Sequence, residues 1–557
     1  RLWLLWLVKR NYVSGWWLDF VYLRARDPLP INSNWYGITF ADYSPTHSQA
    51  ARAAVLTFNM VRLRTRLDNE TMEPQILAGV APLCMAQYSY AFSTTRVPGH
   101  EQDRLEKYDS HESRHVVVLH KGCIYKLPVF SPNTMQQLSP LQLLHAYEGI
   151  LNSTDVASEA ESLLPALTAG NRSEWAQLRE EFFESDRHNS TRLEAIESAI
   201  FVVSLDDAEP KNFTEEGLVL MNGNGHNRWF DKSFNLVVTK NAKAGVNAEH
   251  SWGDAPALAH IMEMAMIDEK DREYYTDTGD VKHSAADDAK LKAGKFLTYP
   301  AMRIDFRTPK ALLEHCRVFH ADFKKRADDL ELYVDGFLDF GKKFIGRNAK
   351  ASPDAFIQMA MQLAYYRDQG HFDLTYESSM TRLFRDGRTE TIRSVSNESC
   401  QFVLAFIADA NNKEKKAQLQ AQLRGACEQH QRYTMETMQG HGVDRHLFAM
   451  YVMSVGINKP SEFLKKALGR KWTLSTSQVP PRQCPDSMYK KTAQEFYCPN
   501  GGFGPVADNG YGVCYNVWDN RLYFNVSTKK SATNTSSERF HGRICQALRD
   551  MAALFQD

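Results

Sequence analysis

Residues 247–256, NAEHSWGDAP, set His250 after a strand-like run and four residues before a carboxylate, Asp254. A neutral imidazole in such a place can take a proton from a hydroxyl or thiol, a contribution of about 10² to 10⁴ in rate. Asp254 could fix the ring or order the loop. A buried histidine satisfied by backbone has the same local sequence, so other stretches must decide. TYESSMTRLFRDGRTETIRS, residues 375–394, carries Tyr376, Thr389 and several arginines, and GVDRHLF sets Arg445 among apolar residues. A guanidinium there calls for a carboxylate, with hydroxyls completing the shell, either from a ligand or through an internal salt bridge. In LSTSQVP, residues 474–480, Ser475 and Ser477 point to one side of an extended segment and Gln478 follows. Without the strained G-x-S-x-G turn of a hydrolase, these serines suit donors to an oxyanion rather than nucleophiles.

Two further stretches would suit a phosphate and a channel. GKKFIGRNAKASPD, residues 341–354, crowds Lys342, Lys343, Arg347 and Lys350 before a helix N-terminus. Free helix N–H groups beside cations favour phosphate, although a solvated basic loop reads the same. PNGGFGPVADNGYG brings Gly501, Gly502 and Gly504 around Phe503. Glycines make turns, and they also leave space that a side chain would block. The NGNG at 222–225 reads as a turn, too weak a pattern for nucleotide binding.

The elements that would position these residues form a mixed α/β pattern with no repeat. A helix is expected from Ser48. A strand over 236–239, a turn through 241–245 and a return strand ending at His250 would present the histidine at a strand end. The charge-rich region from about 150 to 195 reads as helices and surface loops. Ser352 as N-cap, Pro353 at the first position and Gly370 as the stop delimit a helix. A hairpin turns at Asp519-Asn520, and a closing helix starts near Ser536. The change in composition with Pro300 and Pro309 marks a domain boundary at roughly 300 to 310.

The chain has 557 residues, enough for more than one domain. Lys plus Arg is 66 against 67 for Asp plus Glu, which gives no nucleic-acid footprint. The nine cysteines are scattered and contain no CxxC pair, which suits a reducing compartment with neither disulfide framework nor zinc site. Asn-x-Ser/Thr triplets occur, as at Asn69 and Asn525, without secretory context. The apolar run Leu2 to Val8 is shorter than the roughly 18 residues of a spanning helix. Its tryptophans, with Trp16 and Trp17, are expected to start the core, with a membrane interface as the alternative.

Taken together, NYVSGWWLDFVYLRARDPLPINSN, PLCMAQYSYAFSTTRVPG, RWFDKSF, NAEHSWGDAP, the run 352–394, DRHLF, STSQ and GGFGPVADNGYG resemble the carnitine/choline acyltransferase family, and within it the palmitoyltransferase branch. The resemblance implies two halves, 1–305 and 306–557. Each would be a mixed sheet covered by helices and similar to chloramphenicol acetyltransferase, with the active-site tunnel at their interface. His250 matches the general base, Ser477 the oxyanion donor and Asp254 a supporting residue. Tyr376, Thr389, Arg445, Ser475 and Phe503 match the carnitine site. Gly341, Lys342, Lys343, Arg347, Lys350, Ser352, Asp354 and Gln478 match the coenzyme A site, and Gly501 with Gly502 the acyl tunnel. The coenzyme A loop is one residue longer than in typical relatives, with Gly346 and Arg347 where a lysine is expected, and Gly253 replaces a common alanine. Arg445 favours carnitine over choline, which has no carboxylate to pair with it. Glycine at 501 would admit long acyl chains, each buried CH₂ contributing about 0.8 kcal/mol.

The activity so implied is reversible long-chain acyl transfer between coenzyme A and carnitine, with no metal and no tightly bound cofactor. Malonyl-CoA is the implied inhibitor, and the outer mitochondrial membrane, with this part facing the cytosol, is the implied location through segments outside this sequence. A catalytically weak acyl-CoA or malonyl-CoA sensor, or a medium-chain or peroxisomal carnitine acyltransferase, are the alternatives.

Overall fold

A computed structural model describes residues 2–40, 43–77, 79–489 and 497–556. Two large sheets dominate it. The first has eight strands in the order Met302–Ile304, Cys123–Pro128, His115–His120, Val202–Asp206, Phe234–Thr239, Ala244–Ala248, Trp35–Ile38 and Gly501–Gly502. The second has six, in the order Leu330–Phe337, Leu522–Lys529, Tyr511–Val517, Leu474–Gln478, Thr375–Met380 and Thr389–Arg393. In each sheet two successive parallel pairings are flanked by antiparallel ones. The last strand of the first sheet comes from far beyond the 300 to 310 region: Gly501 and Gly502 pair with Gly37 and Tyr36.

Period-two alternation sets which residues face the site. In the first sheet Val116 and Val118 enter one apolar cluster while Val117 and Leu119 enter another, so this strand is covered on both faces. In the second, Tyr511, Val513, Tyr515 and Val517 pack against the helices Pro353–Gln369 and Ser537–Ala553. Cys514 and Asn516, on the opposite face, line a cavity between the two sheets. Leu474 likewise belongs to the core, whereas Ser475 and Ser477 line the cavity. Apolar residues at alternate positions thus fix the orientation of the small polar residues between them.

The Ser48 side chain caps Gln49–Asp68. Pro353–Gln369 has Ser352 as its N-cap and Gly370 in the left-handed region at φ 75°. The hairpin Tyr511–Val517 to Leu522–Lys529 turns at Asp519-Asn520. Three expectations need correction. The return strand before the histidine ends at Ala248. The 150–195 region is no mere surface, because Leu164–Ala169 and Trp175 are buried in the packing against the first sheet. The leading tryptophans do not all enter the core: Trp3 and Trp6 are 68% and 65% exposed, while Trp16 and Trp17 are half-buried. Among the described residues no helix is long and apolar enough to cross a membrane.

Candidate active site

The cavity between the sheets has a volume of about 760 Å³, within the range of small-molecule sites. His250 enters it from the loop after Ala244–Ala248. Its Nδ1 lies 3.2 Å from the carbonyl oxygen of Gly253. A carbonyl only accepts, so in the neutral ring Nδ1 carries the hydrogen and Nε2 carries the lone pair. The Tyr22 hydroxyl is 3.5 Å from the same nitrogen, and the two rings lie 5.2 Å apart between centroids, tilted by 37°. Burial pushes the Tyr22 phenol well up, which keeps it un-ionised beside the base.

Asp254 does not touch the imidazole by a hydrogen bond. It sits at the N-cap of Ala255–Asp271, where its carboxylate accepts from Arg388 Nε at 3.0 Å, Arg388 Nη2 at 3.2 Å and Gln87 Nε2 at 3.0 Å. Burial raises this carboxyl, but the Arg388 guanidinium outweighs burial and holds it below the usual carboxylate range. Arg388 also donates to the backbone carbonyls of Ser251 at 2.6 Å and His250 at 3.1 Å. Of the two roles open to Asp254 in the sequence, the geometry carries the ordering of the loop. On the other side of the histidine, Arg96 donates to Glu249 at 3.0 Å, Asp103 at 2.7 Å and the Tyr22 carbonyl at 2.6 Å. Glu249 accepts from the Ser251 N–H and hydroxyl. The base is therefore held by a buried polar network whose charges are paired.

Sequence reasoning missed Tyr22, Gln87, Arg96 and Arg388. Arg388 lay in the arginine-rich run 375–394 without a mark to separate it from its neighbours, and the others come from distant segments.

Tyr376, Thr389, Ser475, Ser477, Gln478 and Phe503 all line the same cavity as His250. Tyr376 and Ser475 are parallel register partners, and the Ser477 hydroxyl is 3.2 Å from that of Ser378. Arg445 lies behind this wall. It donates to the Thr389 hydroxyl at 3.0 Å and the Thr391 hydroxyl at 3.3 Å, and its guanidinium stacks 3.5 Å over the Trp17 ring. Glu390 is 4.0 Å away, so Arg445 has a carboxylate neighbour, but at the limit of an ion pair. Burial raises the Tyr376 phenol and the positive charge of Arg445 opposes that rise.

The basic loop lies apart from the rest. Lys342 and Lys343 are about half exposed and pair with Asp519 of the hairpin turn at 3.0 and 2.9 Å, and Arg347 and Lys350 are exposed. Gly341 is demanded by close approach, since a Cβ there would stand 2.2 Å from the Trp518 carbonyl oxygen. Ser352 caps the following helix, and within that helix Asp354 reaches the cavity and accepts from the Tyr515 hydroxyl at 2.6 Å. Asp354, Glu377 and His430 bring one ligand atom each within 4.8 Å of one another, the one such grouping among the described residues. Within it, His430 Nε2 meets Glu377 at 2.7 Å. Burial, then Asp354, push the Glu377 carboxyl up to about 7 against the pull of His430.

Gly501 and Gly502 line the cavity where the two sheets meet. A Cβ at Gly501 would lie 1.8 Å from the Tyr36 carbonyl oxygen, and one at Gly502 would lie 2.9 Å from the Tyr36 ring. Any side chain at 501 must first displace the paired strand Trp35–Ile38. This glycine is set by strand pairing as well as by open space.

A part-buried imidazole lining a cavity, hydroxyl side chains on the facing sheet and a guanidinium behind them make a candidate site for acid–base transfer. Residues 3–546 match the model of the choline/carnitine O-acyltransferase family, and the chain belongs to that family of acyltransferases. It is 41% identical over 563 residues to the muscle isoform of carnitine O-palmitoyltransferase 1 from Rattus norvegicus, covering 98% of this chain and 69% of that protein. The liver isoform from Homo sapiens is 39% identical over 555 residues, with the same coverage. Carnitine O-acetyltransferase from Columba livia is 31% identical over 566 residues, covering 98% of this chain and 84% of that protein.

Proposed function

We propose that the protein is a long-chain acyl-CoA:carnitine O-acyltransferase working by general-base catalysis without an acyl-enzyme. The supporting observation is convergence: His250 from one sheet and Tyr376, Thr389, Ser475, Ser477 and Gln478 from the other meet in one cavity. The matching pairing patterns of the two sheets support the reading of two acyltransferase halves, 1–305 and 306–557. His250 Nε2 takes the proton of the carnitine hydroxyl, and the oxygen attacks the thioester carbonyl. The tetrahedral oxyanion accepts from Ser477. Its collapse breaks the C–S bond, and the imidazolium returns the proton to the coenzyme A thiolate. In reverse, the thiol is the proton donor.

The carnitine carboxylate would lie against Tyr376, Thr389 and Arg445, with Ser475 beside it and Phe503 near the trimethylammonium. The phosphates of coenzyme A would lie on Lys342, Lys343, Arg347 and Lys350, with Asp354 and Gln478 toward the pantetheine arm. Chain length is argued from the walls. Ala255, Ala259, Met262 and Met266 recur on one face of Ala255–Asp271 and line an arm that Trp35 and Val246 also border. Such an arm rewards each buried methylene by up to about 0.8 kcal/mol. The names of the 41% and 39% relatives support palmitoyl-length substrates, while malonyl-CoA as inhibitor and the outer mitochondrial membrane as location rest on the resemblance in sequence alone.

Release of thiol from palmitoyl-CoA, measured with and without carnitine, tests this reading. Carnitine-dependent release is expected. Tight binding of palmitoyl-CoA with no release in the presence of carnitine would replace the enzyme by a sensor.

A further inference from the structure

Among the described residues nine arginines are buried, and eight of them have a carboxylate within 4.0 Å: Arg52, Arg64, Arg96, Arg172, Arg179, Arg228, Arg388 and Arg445. Arg382 is the exception among the described residues. It is 2% exposed and lines the cavity just past the end of Thr375–Met380. Its Nε donates to the Cys84 carbonyl at 3.1 Å and its Nη1 to Gln75 Oε1 at 2.7 Å, while Nη2 has no partner. The Tyr88 ring at 5.2 Å offers only a cation–π contact. A buried guanidinium without a counter-ion is costly, and an anion supplied by a ligand would remove that cost.

The surroundings add to this. Burial, then Arg382, lower the neighbouring His260 to about 4, so the histidine brings no second positive charge. Glu263 lines the same arm, but its carboxylate is engaged by the Gln483 N–H at 2.8 Å and by the Tyr489 hydroxyl. Ile76, Leu77, Leu83 and Met262 add apolar wall to the same cavity. An anion there must therefore be small, singly charged and carried on an apolar stem, which is the chemistry of a carboxylate at the end of an alkyl chain. From Asp254, beside the base, to Glu263 the helix rises about 13 Å, a span that a medium-length chain covers.

We propose that Arg382 with Gln75 forms a carboxylate subsite at the end of the acyl arm, so that the protein binds acyl thioesters ending in an ω-carboxylate. This rests on the acyl-CoA reading above, and its test is a binding measurement that does not depend on turnover. Dodecanedioyl-CoA, a monothioester, and dodecanoyl-CoA are compared by calorimetry on the wild type, Arg382→Gln and Arg382→Lys. The wild type is expected to bind the carboxyl-ended thioester at least as tightly as its methyl-ended twin. Arg382→Gln should weaken the first relative to the second by about tenfold to a hundredfold, the worth of a charged hydrogen bond, with Arg382→Lys between. Rejection of dodecanedioyl-CoA by the wild type, or equal weakening of both ligands in Arg382→Gln, would overturn the proposal. If Arg382→Gln does not fold, a chain-length series on the wild type decides. An affinity optimum for carboxyl-ended thioesters that their methyl-ended twins lack supports the subsite, and parallel series refute it. Absence of carnitine-dependent thiol release would count against the function proposed above and leave this comparison intact.

Discussion

Two regions of the molecule, the surroundings of His250 and the basic loop 341–350, are built in opposite ways. Around His250 the charges are buried and paired: Asp254 with Arg388, Glu249 and Asp103 with Arg96. At the loop 341–350 the lysines are half exposed and share a single partner, Asp519, also half exposed. The difference suits the roles proposed for the two regions. Proton transfer needs one ring nitrogen aimed within tenths of an ångström, so geometry is fixed in advance by a network that excludes water. Phosphate attraction needs charge density more than a fixed angle, and half-exposed cations can supply it while staying solvated.

Three perturbations would sharpen or break that contrast. The largest effect is expected for His250→Ala, which should lower kcat by at least about 10² to 10⁴ with the melting temperature little changed. Substantial turnover in that variant would remove His250 from the chemistry. Next, Arg388→Gln leaves the Asp254 carboxylate buried without its partner, at a cost of about 3 to 5 kcal/mol seen as a lower melting temperature together with lost activity. Adding Asp254→Asn should restore part of the stability, because the stranded charge is then gone. If the double variant is as unstable as the sum of the singles, the pair is not coupled as described. The smallest effect belongs to Lys342→Ala with Lys343→Ala. It should raise KM for palmitoyl-CoA severalfold, flatten its dependence on salt and leave the melting temperature alone. A loss of stability on the scale of Arg388→Gln would show that the loop is built like the surroundings of His250 after all.

Much of the site was legible in the linear chain because its chemistry is carried on short, punctuated segments. Ser352, Pro353 and Gly370 delimit their helix by capping rules that act locally. Ser475 and Ser477 face one way because strand residues alternate, and Leu474 anchors the phase by entering the core. Tyr22 and Gln87 were not legible, since nothing near them in sequence distinguishes them from core aromatics or surface amides. Their roles depend on meeting residues 228 and 167 positions away. The leading tryptophans misled for the same reason: composition says they are apolar, and only packing says that Trp17 covers Arg445 while Trp3 faces outward.

Residue type and local spacing by themselves determined that this protein carries an imidazole after a strand, alternate serines on another, a guanidinium among apolar residues and a basic loop, because each is a property of a few consecutive side chains. The tertiary structure decided how they are used. It turned Asp254 away from the imidazole toward Arg388, and it set Gly501 against the backbone of Tyr36. Among the described residues, it also left Arg382 alone of the buried arginines without a carboxylate partner. Pairing of buried charges and close approach of strands are long-range outcomes of packing two sheets together, and no local pattern encodes which distant partner arrives.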